Sequence, residues 1–135
     1  MSLRSKSREF ALQMLFQWEM SPEEPRKLEE RFWRTARAAE STRKFANALF
    51  EGAAAESAKL DALLAKHSEN WRTERFSATD KAILRLGAYE LQRGETPQKV
   101  VFNESIELAK KYSSEEAGGF VNGILDSVAK SLKAK

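Results

Sequence analysis

"EEAGGFVNGILDSVAKSL", residues 115–132, is the stretch on which the fold turns. Ala117, Phe120, Val121, Ile124, Leu125, Val128 and Leu132 recur at three- and four-residue intervals, which gathers them on one face of a 3.6-residue helix. A strand would need period-two alternation, and there is none. Ser113 or Ser114, followed by Glu116, supplies the start signal. One apolar face on a long helix requires other helices to cover it. Gly118, Gly119 and Gly123 lie inside the helix at up to ~1 kcal/mol each relative to Ala. Two explanations stand: close crossing of a neighbouring helix, or backbone and the Phe120 ring left open to a flat ligand such as a base.

The same period runs back toward the amino terminus. A helix over about Ala78–Arg93 carries Ile83, Leu84, Gly87 and Leu91, with Ser77 and Asp80 at its start and Gly94 as a left-handed cap. Asp80, Arg85 and Glu90 share that helix and are expected to be solvated. Thr96 then caps, and Pro97 opens, a helix bearing Val100, Val101, Ile106, Leu108 and Ala109 as far as Tyr112. Short connections among these three helices imply antiparallel neighbours in a bundle. Upstream, one long helix is expected from Ser41 to about His67, a shorter one over Arg26–Ala38 with Leu28, Phe32 and Thr35 inward, and a first helix over Ser2–Met20. The first helix ends at "SPEEP", residues 21–25, whose two prolines forbid continuation. "SENWRTERFSATD" interrupts the pattern, with a short turn around Trp71–Phe76. The fold class is all-α.

Composition narrows the functions available. The chain has 135 residues, 23 Lys and Arg against 20 Asp and Glu, and a net charge of only +3, so any basic surface must be local. With no Cys and one His, there is no disulfide, thiolate zinc site or cysteine nucleophile. His67 sits at a helix end, where interaction with the last carbonyls accounts for it. "GGFVNG" lacks the Lys-Ser/Thr ending and the preceding strand of a phosphate loop. No catalytic constellation, cofactor or metal is expected. No apolar run approaches the ~20 residues needed to span a bilayer, and no signal-peptide core is present, so a cytoplasmic location is expected.

The first helix breaks a local rule. Acids belong in a first turn, where helix amides carry partial positive charge, yet here Arg4, Lys6 and Arg8 precede any acid. Arg4 and Arg8 also repel at i,i+4, by roughly 0.2–0.5 kcal/mol. Local inconsistencies of this kind gather at functional sites and point to an anionic partner. Phe10, Ala11, Met14, Leu15 and Trp18 span one face, while Arg8, Leu12 and Phe16 form a separate row. That row is either packed under another layer of helices or presented to a partner, which for Leu12 and Phe16 includes a second copy of the chain.

"DKAILRLGAYEL" (80–91), "VVFNESIELAKKY" (100–112) and "GFVNGILD" (119–126), in that order and preceded by "REFALQMLFQW" (8–18), resemble the NusB family of bacterial transcription antitermination factors. The resemblance runs from about Arg4 to Val128. It implies a NusB-like RNA-binding domain over 1–135, with about seven helices in two small antiparallel bundles. The implied function is recognition of boxA RNA jointly with the ribosomal protein NusE. Other Nus factors and RNA polymerase complete the assembly, which reads through terminators, notably in ribosomal RNA operons. By the same resemblance Arg4, Lys6, Arg8, Glu116 and Phe120 are RNA-binding, and Phe16, Glu74 and Asp80 lie on the NusE side. Gly119 replaces a basic residue that often precedes the Phe, and Lys110 and Lys111 are placed to compensate. Two alternatives remain: a helical protein–protein adaptor without specific RNA binding, and the NusB-like domain of a ribosomal RNA cytosine methyltransferase.

Overall fold

The computed structural model describes residues 3–69 and 76–133. Within these residues lie seven helices and no strand: α1 (Leu3–Met20), α2 (Pro25–Thr35), α3 (Glu40–Ala55), α4 (Ser57–His67), α5 (Ala78–Arg93), α6 (Gln98–Tyr112) and α7 (Glu115–Lys133). They form two compact units, Met1–Ala55 and Glu56–Lys135.

In the amino-terminal unit α1 packs chiefly on α3, and α2 touches both. Phe10, Ala11, Met14 and Leu15 are buried on α1, and Ala46, Leu49, Phe50 and Ala53 on α3. The Phe10 ring meets Phe32 and Trp33 of α2 edge-on, with centroids 5.9 and 5.0 Å away, a geometry that adds about 0.5–1.5 kcal/mol per pair beyond burial. Two polar ties fix the helices against sliding: Ser7 Oγ donates to the Thr42 carbonyl at 3.0 Å, and Trp33 Nε1 donates to Asn47 Oδ1 at 2.8 Å. Pro25 takes the first position of α2, where its missing N–H is no loss. The "SPEEP" turn before it is pinned, because Trp18 Nε1 donates to the Glu23 carbonyl and Arg31 grips both Glu23 carboxylate oxygens.

Glu29 of α2 is buried and within reach of Glu51 on α3. Burial first, and then the neighbouring Glu51 carboxyl, push the Glu29 carboxyl up to about 8 from an ordinary 4.5. The folded chain therefore holds a proton that the unfolded chain releases between those two values. Stability of this unit should fall as pH rises from about 4.5 to about 8 and level off above. Urea unfolding across that range should show the slope in the wild type and a flatter profile in Glu29→Gln.

The carboxy-terminal unit is built on α5, which packs against α4, α6 and α7. Its ends follow the sequence. Ser77 Oγ accepts from the Asp80 N–H at 3.0 Å, and Gly94 closes the helix at φ 70°, a left-handed value that favours glycine. Ser114 Oγ likewise accepts from the Ala117 N–H at the start of α7. At Gly87 a β-carbon would stand 2.8 Å from Leu125 Cδ1 and 3.0 Å from Ser105 Oγ, so α6 and α7 approach α5 through that gap. His67 closes the last turn of α4, as expected, and also hydrogen-bonds with Ser127 Oγ through Nδ1 at 2.7 Å, which ties α4 to α7.

Four expectations change. The long third helix breaks at Glu56 because its two ends serve different cores: α3 packs on α1 and α2, α4 on α5 and α7. The second helix stops at Thr35, where Ala36 turns extended. Thr96 does not cap α6; its hydroxyl donates instead to Glu90 Oε1 at 3.2 Å, helping to satisfy a buried carboxylate. The α5 charges are not solvated either, since Asp80 and Glu90 are buried and Arg85 binds both oxygens of Asp61. The turn expected around Trp71–Phe76 falls mostly outside the described residues.

Among the α7 glycines, Gly118 faces α6, where a β-carbon would lie 3.4 Å from Ile106 Cγ2, while Gly119 and Gly123 look into open space. Close helix crossing thus explains one of the three. Gly123→Ala should raise the stability of this unit by up to about 1 kcal/mol, since it removes unfolded-state freedom without a clash; a higher midpoint in thermal unfolding is the readout.

Candidate nucleic-acid interface

Two surfaces, one on each unit, carry the residues singled out in the sequence. The first is the start of α1, which has no acid in its first turn. Arg4 lies over the Phe45 ring of α3, its guanidinium carbon 3.8 Å from the centroid, and Lys6 Nζ lies 5.0 Å from the Phe10 centroid. Arg4 and Lys6 are exposed. Aromatic faces are electron-rich, so each ring holds a cation that the helix terminus disfavours, by about 0.5–1 kcal/mol at exposed sites. The cations are held in place and still face solvent.

Arg8 differs from the expectation. One turn along α1 it comes within 5.6 Å of the same Phe45 ring, but it is only 3 % exposed and has further partners of its own. Sequence spacing placed it in one basic row with Arg4; the fold turns that row inward after its first member. Leu12, the next in the row, is 3 % exposed and belongs to the core, and Phe16 is half-buried. A self-association surface built on Leu12 with Phe16 therefore loses Leu12.

The second surface is the first half of α7. Phe120 belongs to the apolar stripe by spacing but is 38 % exposed, and its ring packs against Phe76 with centroids 5.4 Å apart and planes at 57°. Glu116, one turn earlier, is exposed, as is Gly119. Lys110 and Lys111 are exposed in the last turn of α6, and Lys110 Cγ lies 3.8 Å from the β-carbon position of Gly118. A partly open Phe120 ring, with Glu116 one turn earlier and Lys110 beside Gly118, can accept a stacked base and hydrogen-bond its edge. Phe76 was not singled out in the sequence. The only available signal is an aromatic residue immediately before a helix cap, which by itself indicates packing.

The three residues assigned to the NusE side fare differently. Phe16 is half-buried on α1. Asp80 is 7 % exposed in the first turn of α5, and its Oδ1 is buried with no hydrogen-bond partner. Its position near the amide end of α5 offsets part of that desolvation. Glu74 lies outside the described residues. Among the described residues no group of three or more His, Asp or Glu could hold a metal ion, and no helix is long and apolar enough to cross a membrane.

Comparison with known proteins gives one consistent result. The family model described as the NusB family matches residues 5–130. The transcription antitermination protein NusB of Koribacter versatilis (strain Ellin345) is 46 % identical over 134 residues, covering 98 % of this chain and 92 % of the relative. That of Sorangium cellulosum (strain So ce56) is 44 % identical, covering 98 % and 95 %. Among solved structures, a chain in the crystal structure of antitermination factors NusB and NusE in complex with dsRNA superposes with a TM-score of 0.86 at 28 % identity, covering 97 % of this chain and 98 % of that one. The solution structure of NusB from Aquifex aeolicus also gives 0.86 at 28 % identity, covering 99 % and 92 %. With a family match over nearly its whole length and relatives at this level of identity, the chain belongs to the NusB family.

Proposed function

We infer that this chain is a transcription antitermination factor that binds boxA RNA together with NusE and promotes read-through by RNA polymerase, notably in ribosomal RNA operons. The observation that carries the RNA contact is the start of α1, where two exposed cations are held over aromatic rings at the helix end that disfavours them. Arg4 and Lys6 take backbone phosphates, which supplies affinity and salt dependence. Phe120 stacks on an unpaired base, and Glu116 accepts from a base amino group, which supplies sequence preference. Arg8, being buried, acts as a positioning residue that shares the Phe45 ring with Arg4. Gly119 leaves the helix backbone open beside Phe120, and Lys110 provides the cation that position 119 lacks.

To NusE binding we assign Phe16 of the amino-terminal unit and, by the family resemblance, Glu74 and Asp80 of the other. A basic ribosomal protein favours acidic partners such as Glu74, whereas Asp80, buried in the first turn of α5, is a positioning residue. The remaining Nus factors and the polymerase join through the RNA-bound pair, in the cytoplasm. The test is multi-round transcription with purified polymerase, NusE and the other Nus factors on a template carrying boxA ahead of a terminator. Read-through should rise when this chain is added, and only with boxA intact. Read-through independent of the chain would return it to the class of protein adaptors.

A further inference from the structure

Two grooves mark the amino-terminal unit, and the reading above uses only the Arg4–Phe45 edge of the smaller one. The larger, about 810 Å3, runs between α2 and α3 and is lined by Arg26, Arg34, Arg43 and Lys44 together with Trp33. The smaller, about 330 Å3, lies between the start of α1 and the first turns of α3 and is lined by Arg4, Phe45 and again Lys44. Lys44 lines both and is the cation they share. Each groove holds an aromatic ring with a guanidinium over it: Arg4 at 3.8 Å from Phe45, and Arg43 at 5.5 Å from Trp33. Trp33 is fixed by its bond to Asn47 and by its edge contacts with Phe10 and Phe32, so the Arg43 head is held on a rigid surface.

Three carboxyls also line the larger groove, and they would oppose an anion. One of them, Glu29, is buried and keeps its proton at neutral pH, leaving cations in excess. Arg26, Arg34, Arg43 and Lys44 are all exposed. A concave, cation-rich surface that shares Lys44 with the groove at the start of α1 has the chemistry of a backbone track rather than of a base-reading pocket.

We propose that the phosphate backbone of the RNA held at the start of α1 continues across Lys44 into the α2–α3 groove, where Arg43 and Arg34 take further phosphates. This inference rests on the RNA-binding reading above and adds to it a length requirement: RNA that extends beyond the boxA element binds more tightly than the element alone, through sequence-independent contacts.

The test compares two labelled RNAs by fluorescence anisotropy across a salt series: the boxA element, and the same element lengthened at both ends with unstructured sequence. The wild type should bind the longer RNA more tightly, with a salt slope steeper by about 0.7 for each phosphate gained, hence about 1.4 if Arg34 and Arg43 take one each. In R34A/R43A that increment should vanish while binding of the short RNA is unchanged, and R34K/R43K should restore it. Equal slopes for the two RNAs in the wild type, or a double variant that weakens both alike, would overturn the proposal while leaving boxA recognition in place. Failure of the wild type to bind the short RNA would instead remove the reading on which it rests, and the track with it.

Discussion

Phe120→Ala is expected to weaken boxA RNA binding by about 5- to 150-fold, the loss of about 1–3 kcal/mol that follows when a base loses its aromatic platform. The salt slope should not change, because no cation is removed. Helical spacing assigns Phe120 to the buried stripe of α7, yet it is the one large member of that stripe left exposed, beside Gly119, whose missing β-carbon faces open space. A ring kept 38 % exposed forgoes burial worth part of the roughly 1.5–3 kcal/mol that a core Phe contributes. Contact with Phe76 orients the ring without covering it. Phe120→Trp should retain binding, since stacking needs a flat face and not a particular ring. Unchanged affinity in Phe120→Ala, with the helical signal intact, would remove α7 from the RNA surface.

The second large effect concerns the core that holds α7 in place. Leu125→Ala should destabilise the carboxy-terminal unit by about 2–5 kcal/mol, because its fully buried side chain fills the gap at Gly87 between three helices. Gly87→Ala should also destabilise, by about 1–2 kcal/mol, since its new β-carbon meets Leu125 Cδ1 at 2.8 Å in a site with little room to give. The two changes relieve each other: truncating Leu125 removes the atoms against which the methyl added at position 87 collides, and that methyl refills part of the cavity. The double variant should be more stable than the sum of the single losses by about 0.5–3 kcal/mol. Denaturant unfolding of the four proteins gives the coupling. Strict additivity would mean that α7 does not cross α5 at Gly87.

Much of the fold was legible because it rests on local chemistry. Ser77, Gly94 and Ser114 set helix ends through their own hydroxyls or backbone freedom, and each acts where the sequence put it. The break between α3 and α4 was not legible. "FEGAAAESAKL" keeps helical period without interruption, and the division comes from which core each end joins, a tertiary fact. Glu29, Asp80 and Glu90 show the same limit in another form. The charges of Asp80 and Glu90 read as solvated, whereas the fold buries all three and then compensates: Glu29 by holding a proton, Glu90 through Thr96, and Asp80 by its place at a helix start. In the candidate site, the misplaced cations of α1 were readable from the dipole rule alone. That Arg8 is buried while Arg4 stays exposed was not, because it depends on how α3 packs against α1, a tertiary fact. Phe76 and the track through Lys44 likewise exist only once separate helices come together.

If the cations at the start of α1 and the ring on α7 read boxA RNA in concert with NusE, the decisive comparison is binding of a labelled boxA RNA against a scrambled RNA of equal composition. Fluorescence anisotropy with and without NusE, at low and high salt, makes it. The expected result is a preference for boxA that sharpens when NusE is added and survives the rise in salt. Arg4→Ala and Lys6→Ala should each lower affinity and make the slope shallower by about 0.7. Equal binding of both RNAs that salt erases, with NusE making no difference, would refute joint recognition of boxA by these two surfaces.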